Sequence, residues 1–210
     1  MFDQPGQQGG DQTMKHLIRQ FRLEQGALEI QYLEDYFDEF REKKTAEEIV
    51  DRLSGREHLI LMSLAASPDG EHQLIPVAFK VGHELRASET DPDLADLVEQ
   101  LRGSVSLEGR KIFYSWIGGT RQPWRGQGHY RALTEQQEEW ALANGYQELL
   151  VKTKNKFYTM RATLDHLRFN VVRFQPFHRD NGESKVYLSK LIGAELLKHH
   201  QTDRTLVESV

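Results

Sequence analysis

The segment from Lys111 to Gly145 constrains the fold more than any other part of this 210-residue chain. It begins with β-branched and aromatic residues, 112–117, which predict a strand that ends at Gly118-Gly119. A short stretch rich in arginine and glycine follows. The next residues are rich in Ala, Leu, Glu and Gln and stop at Asn144-Gly145, a pair that commonly ends a helix. The predicted order is therefore strand, glycine-rich turn, helix.

This turn is suited to binding an anion. A helix N-terminus presents unpaired backbone N–H groups and the positive end of the helix dipole, and glycines let a ligand approach the backbone closely. Arg121 and Arg125 add positive charge, so a phosphate is the expected ligand. The alternative is a tight turn that only connects a strand to a helix, or a phosphate-binding turn in an unrelated α/β protein.

Two common nucleotide-binding motifs are not matched. A Walker loop ends in Gly-Lys-Ser/Thr, which this turn lacks, and the dinucleotide fingerprint G-x-G-x-x-G fails because Arg131 replaces its third glycine.

Composition narrows the remaining function classes. The chain is 38% hydrophobic and 28% charged with a net charge of −5, so we expect a soluble globular protein without a general nucleic-acid surface. It has no apolar run long enough to span a membrane, and its first residues do not form a signal peptide, so we expect a cytoplasmic protein. The absence of cysteine excludes disulfides, thiolate metal sites and a cysteine nucleophile.

Apolar spacing predicts further elements along the chain. An amphipathic helix is expected over residues 30–40, and its acidic outer face either is simply solvated or attracts a cationic amine. A capping box at Thr45 begins a short helix. The other predicted elements are strands at 16–22, 59–66, 75–81, 146–153, 169–174 and 185–191, a helix from Lys156, and a terminal helix after Gly193.

One more helix is expected where the chain would otherwise need only a hairpin. Asp91 is a good N-cap, Pro92 a good first helical residue, and Gly103 a stop signal. The helix either is a surface elaboration packed on the sheet, or serves as a lid over a substrate site or as a dimer contact. The adjacent pair His199-His200 is expected to be two surface histidines rather than metal ligands, because neighbours on a helix point about 100° apart.

The glycine-rich turn matches the pattern R-x-x-G-x-G/A at Arg125 and Gly128, with Tyr130 at the last position. Together with the run 124–133 and the order of elements, this resembles the acetyl-CoA loop of the GNAT superfamily of N-acyltransferases. The resemblance implies an α/β (α+β) fold with a mixed, mostly antiparallel sheet, one splayed pair of parallel strands and flanking helices, to which this chain adds the inserted helix between the third and fourth strands. We expect a flexible tail at 1–12, a single domain at 13–192 with the inserted helix at 91–103, and a C-terminal helix and tail at 193–210.

The resemblance also implies an activity: transfer of an acetyl group from acetyl-CoA, without a metal, to a primary amine of a small molecule or peptide. The alternative is a non-catalytic acyl-CoA-binding regulatory module. Neither nucleic acid nor membrane is an expected partner. One interpretation of the inserted helix is that it forms the contact surface of a homodimer. Carried over residue by residue, the cofactor-binding positions are Ile117, Gly118, Gly119, Thr120, Arg125, Gly126, Gln127, Gly128, His129, Tyr130 and Asn155.

Catalytic residues are harder to assign. A tyrosine that many family members carry on the helix after the splayed strand pair is replaced here by Leu164, and the strand 111–119 has no carboxylate that could act as a base. Glu84, at the end of the preceding strand, is the candidate general base, and an exposed strand-end carboxylate is the alternative. Asn155 either reaches the pantetheine arm or caps the helix from Lys156.

Overall fold

The structure is a computed structural model that describes residues 16–23, 44–68, 73–200, 202 and 204–207. The predicted tail at 1–12 and the predicted helix at 30–40 lie outside these residues. The elements are β1 (His16–Phe21), α1 (Ala46–Leu53), β2 (His58–Ala66), β3 (Leu74–Leu85), α2 (Pro92–Leu101), β4 (Ile112–Thr120), α3 (His129–Ala143), β5 (Glu148–Lys154), α4 (Tyr158–His166), β6 (Asn170–Gln175), β7 (Lys185–Leu191) and β8 (Arg204–Val207).

All eight strands form one mixed sheet in the order β6-β7-β5-β4-β3-β2-β1-β8. The pairs β4–β5 and β1–β8 are parallel, and the other neighbours are antiparallel. The predicted mixed, mostly antiparallel sheet is therefore confirmed, as is the helix inserted between the third and fourth strands.

The parallel pair β4–β5 diverges along its length. The two strands pair only from Ile112↔Glu148 to Ser115↔Val151. Beyond that point β4 continues to pair with β3 as far as Thr120, and β5 with β7 as far as Lys154. A gap therefore opens in the middle of the sheet, which confirms the predicted splayed pair.

Helices cover the two faces of the sheet because alternate strand residues point to opposite sides. Phe113 packs under α3 and α4, whereas its neighbour Tyr114 packs under α2. The inserted helix α2 begins at the predicted N-cap, where the Asp91 side chain accepts a hydrogen bond from the Leu94 N–H at 3.0 Å. The apolar stripe of α2 is buried against the sheet: Leu94, Leu97, Val98 and Leu101.

The C-terminal segment differs from the prediction. Instead of a helix followed by a tail, residues 196–199 form a single 3₁₀ turn, and Arg204–Val207 adds β8 to the sheet edge beside β1. The fold therefore continues past the boundary expected at residue 192. His200 is also not a surface residue, since its side chain is 9% exposed and contacts Glu138. Among the described helices, none is long and apolar enough to cross a membrane.

Candidate active site

A cleft of about 1370 Å³ passes through the gap between β4 and β5. On one side its walls come from the turn before α3 and from α4, and on the other side from α1 and α2. Because the gap runs through the sheet, two molecules can meet in it from opposite faces.

The glycine-rich turn has the geometry of an anion site. Gly126 and Gly128 have φ angles of +77° and +82°, which other residues adopt only with strain. Gly128 is the N-cap of α3, and no side chain caps that helix. The first N–H groups of α3 therefore face the cleft beside Arg125, whose Nε donates to the Thr120 carbonyl at 3.0 Å.

The cleft brings together most of the positions carried over from the resemblance. Those that line it are Ile117, Gly118, Gly119, Thr120, Arg125, Gly126, Gly128, His129 and Tyr130. Gln127 does not line it, and its side-chain amide donates instead to the Pro123 carbonyl at 3.2 Å.

Asn155 is engaged elsewhere. Its side-chain amide donates to the Asn181 carbonyl at 3.2 Å and accepts a hydrogen bond from Arg161. The N-cap of α4 is Phe157, so the predicted capping role of Asn155 is wrong. Its predicted contact with a pantetheine arm is not supported either, because Asn155 is not among the described residues that line the cleft.

Glu84 lies at the wrong end of the sheet to act as the base. It pairs with Phe113 near the start of β4, whereas the gap opens after Ser115. Its carboxylate accepts a hydrogen bond from Arg86 Nε at 2.9 Å, and the residue does not line the cleft. The structure therefore corrects this assignment in favour of the alternative, a strand-end carboxylate in a surface ion pair.

A β-bulge in β4 lies at the apex of the gap. The β3–β4 register steps from Val81↔Ile117 to His83↔Tyr114, so Gly82 faces two residues, Ser115 and Trp116. A bulge leaves the backbone of its extra residue outside the ladder. The sequence does not predict the bulge, because no local pattern in β4 marks it.

Tyr130, which stands where the motif usually has Gly or Ala, turns its ring toward the sheet. Its hydroxyl accepts a hydrogen bond from Lys80 Nζ at 3.1 Å, and Nζ lies 4.2 Å from the ring centroid. Lys80 is 1% exposed and pairs across the ladder with Gly118. Burial lowers the pKa of Lys80 to about 7, partly offset by Glu138.

This buried lysine predicts a dependence of stability on pH. Between about pH 7 and 10.5 the unfolded chain holds more protons at Lys80 than the folded protein, so stability rises with pH through this window. Relative to Lys80→Met, we expect the wild type to gain up to about 1.4 kcal/mol per pH unit in urea unfolding from about pH 7.5 to 9.5. The exposed Lys198→Met variant is the control. A constant difference between wild type and Lys80→Met would show that Lys80 keeps an ordinary pKa.

A second buried polar group underlies the start of α3. His129 Nδ1 lies 2.9 Å from Ser63 Oγ and 3.2 Å from His16 Nδ1. Burial, and the neighbouring His16, lower the pKa of His129 to about 4, so the ring is neutral at pH 7. Its Nε2 is buried and has no hydrogen-bond partner among the described residues. The His129 ring therefore connects the first turn of α3 to β1 and β2 through its contacts with His16 and Ser63.

The walls of the cleft are basic although the chain is acidic overall. Among the described residues, two carboxylates line it, Asp93 and Glu183. Eight cationic side chains of the described residues line it: Lys44, Arg52, Arg125, Arg131, Lys152, Lys154, Lys156 and Lys185. The described residues contain no group of three or more histidines and carboxylates placed to hold a metal ion. The electrostatics therefore favour polyanionic ligands.

Neither a family model nor a curated protein sequence matches this chain. Solved structures do. Arabidopsis thaliana NAA60 in complex with acetyl-CoA superposes with a TM-score of 0.59 at 13% identity, over 83% of this chain and 97% of that one. The NatC complex bound to Gag peptide and CoA gives 0.60 at 12% identity, over 86% and 100%. An acetyltransferase of the GNAT family from Streptococcus pneumoniae gives 0.54 at 14% identity, over 85% and 100%.

The chain has the GNAT fold. The similarity spans nearly the whole length of each of these structures, so the fold is shared as a unit. In this GNAT fold, the splayed strands, the bulge in β4 and the glycine-rich turn converge on one cleft.

Proposed function

We propose that this protein is an N-acetyltransferase that moves the acetyl group of acetyl-CoA to a primary amine of a small molecule or peptide. The observation that carries the proposal is the cleft between the splayed strands, with the uncapped N-terminus of α3 at one mouth. NAA60 and the NatC complex, which share the fold, were solved with acetyl-CoA and with CoA. Cytoplasmic action remains a prediction from the sequence.

The turn fits the phosphates of CoA. The first residues of α3, which have no side-chain cap among the described residues, line the cleft, and Gly126 and Gly128 leave the backbone open to close approach. Arg125 and the neighbouring cations supply charge of the opposite sign. The final residues of β4, 116–120, have a free edge toward β5, which suits an extended pantetheine arm that hydrogen-bonds as a strand would.

The bulge in β4 is the proposed source of a hydrogen bond to the thioester carbonyl oxygen during the reaction. The amine nitrogen attacks the thioester carbonyl carbon, a C–N bond forms, and the C–S bond then breaks to release the CoA thiolate. Charge develops on the carbonyl oxygen during attack. A backbone N–H that the ladder does not use, within 115–117, is the proposed donor to that oxygen.

The amine must lose a proton before it attacks, since a free alkyl amine has a pKa of about 10.4. Among the described residues, the two carboxylates that line the cleft are both in ion pairs, Asp93 with Arg52 and Glu183 with Lys154. We therefore propose that desolvation in the cleft disfavours the ammonium form and lowers the pKa of the bound amine. That proton, and the second proton that the nitrogen loses after attack, are released to solvent, and the thiolate, whose parent thiol has a pKa of about 8.5, is stable enough to leave without an acid.

The test is a screen of primary amines in which release of the free CoA thiol is followed in the presence of acetyl-CoA, alongside calorimetry of acetyl-CoA binding. Binding together with turnover supports the enzyme. Binding without turnover of any amine would favour the non-catalytic acyl-CoA-binding module, and absence of binding would contradict both.

Arg125 gives a specific prediction for the cofactor. Arg125→Ala should weaken acetyl-CoA binding by about 1.5–3 kcal/mol, the usual contribution of a hydrogen bond to a charged group. Added salt should weaken binding by the wild type more than binding by the variant. Calorimetry at two salt concentrations measures both effects, with Arg102→Ala, outside the cleft, as the control. An equal salt response in wild type and Arg125→Ala would exclude a phosphate contact.

A further inference from the structure

Two lysines on the sheet face under α2 have no ion-pair partner among the described residues. Lys152 of β5 and Lys185 of β7 are half-buried, and both line the cleft. Lys152 pairs with Tyr187 and Lys154 with Lys185, so Lys152 and Lys185 are diagonal neighbours within reach of one ligand. Among the described residues, no hydrogen bond or ion pair reaches either ammonium group.

The other charges around this part of the cleft are already paired. Arg52 lies 3.4 Å from Asp91 and 3.7 Å from Asp93. The remaining pairs are Lys44 with Glu48, and Lys154 and Lys156 with Glu183. Asp93 and Asp96 attract Lys152 only at long range. The acidic residues of α2 therefore do not neutralise the two lysines.

Half-buried cations without partners are costly. Burial lowers the pKa of Lys152, and repulsion from Lys185 lowers it further. An anion placed between the two ammonium groups would reverse both effects, because an opposite charge favours the charged form.

The position of these lysines separates them from the glycine-rich turn. Lys152 lies on the same strand as Leu150, which packs under α2, whereas Val151 between them faces α3 and α4. The turn before α3 lies on that second face. A ligand held by Lys152 and Lys185 would therefore meet an acetyl group held at the gap from the opposite side of the sheet.

We propose that Lys152 and Lys185 form an anion subsite for the acceptor, so that the preferred acceptor is a primary amine carrying a carboxylate or a phosphate on the same molecule. This inference rests on the proposed acetyltransferase function.

The first test compares primary amines with and without an anionic group. β-Alanine is compared with its amide, and phosphoethanolamine with ethanolamine, by kcat/KM for CoA release. We expect the anionic member of at least one pair to be preferred by roughly tenfold or more, and the preferred pair distinguishes carboxylate from phosphate. Equal rates within both pairs would overturn the proposal.

Single variants then assign the preference to the two lysines. Lys152→Met and Lys185→Met should each lower kcat/KM for the anionic amine by roughly tenfold, with acetyl-CoA affinity and the rate on the neutral partner within about twofold. Lys198→Met, an exposed lysine outside the cleft, should change none of these values. An equal loss of kcat/KM on both members of a pair would show that the two lysines do not discriminate acceptors by charge.

A binding measurement tests the anion subsite without depending on catalysis. Inorganic phosphate and glutarate are titrated into the protein with and without acetyl-CoA, while NMR of isotope-labelled lysine follows the pKa of Lys152. We expect saturable binding with an upward shift in that pKa, unchanged by acetyl-CoA. No shift with either anion overturns the subsite, and competition with acetyl-CoA assigns the lysines to the cofactor instead. Failure of acetyl-CoA to bind, with anion binding intact, would contradict only the proposed function.

Discussion

Gly82→Ala is expected to destabilise the protein by about 3 kcal/mol or more, the upper end of the cost of overpacking a core. A Cβ atom at residue 82 would lie 2.3 Å from Cε1 of Phe113 and 2.8 Å from the Tyr114 carbonyl oxygen. Phe113 is fully buried and packs against Trp140 and Tyr146, so its ring cannot move away freely. The glycine is needed because β3 approaches the bulge of β4 closely here.

Urea unfolding measures this cost, and Gly193→Ala is the matched control. A Cβ at Gly193 would meet nothing within 4 Å, so its effect should stay within about 0.5 kcal/mol. Because the bulge should shift with Phe113, we also expect weaker acetyl-CoA binding by any Gly82→Ala protein that remains folded. Wild-type stability of Gly82→Ala would mean that the strands separate at little cost and that the bulge is not rigidly held.

Glu138→Gln is expected to cost about 3–5 kcal/mol, the range found when one partner of a buried ion pair is removed. The Glu138 side chain is fully buried in α3 and accepts hydrogen bonds from Lys190 and from His200, the latter at 2.9 Å. Burial alone would lower the pKa of His200, but hydrogen bonds to Glu138 and Glu139 outweigh it and raise the pKa to about 9. The substitution leaves Lys190 buried without its counter-charge.

A double variant separates loss of charge from loss of packing. Glu138→Leu combined with Lys190→Met removes both charges and should recover most of the stability, since apolar residues can replace a buried pair. Glu99→Gln is the surface control, because its pair with Arg102 is exposed and should contribute less than about 1 kcal/mol. If urea unfolding shows that Glu138→Gln loses as little stability as Glu99→Gln, water reaches the pair of Glu138 and Lys190.

The buried network around Glu138 also bears on the proposed site. It joins α3, β7 and the segment before β8, and it lies on the helix whose first turn forms the proposed anion site. Arg204 of β8 reaches Glu135 on the same helix at 3.4 Å. The C-terminal segment therefore holds α3 against the sheet.

Local sequence patterns were sufficient to predict the main elements that form the cleft. Strand β4, the turn at Gly126 and Gly128, helix α3 and the capped helix α2 all follow from residue types at neighbouring positions. Backbone conformation and helix capping depend on contacts within a few residues, so a single sequence carries them. The motif at Arg125 and Gly128 also led to the GNAT resemblance, which the fold bears out.

The tertiary structure decided which side chains meet. Glu84 lies away from the gap because strand register, not distance along the chain, sets its neighbours. β8 was missed because four residues gain strand structure only by pairing with β1, far away in sequence. Lys152 and Lys185, and likewise Lys80 and Tyr130, are brought together by long-range pairing and burial. Charges and pKa values depend on those surroundings, so the chemistry of the cleft was determined by the fold rather than by any local stretch of sequence.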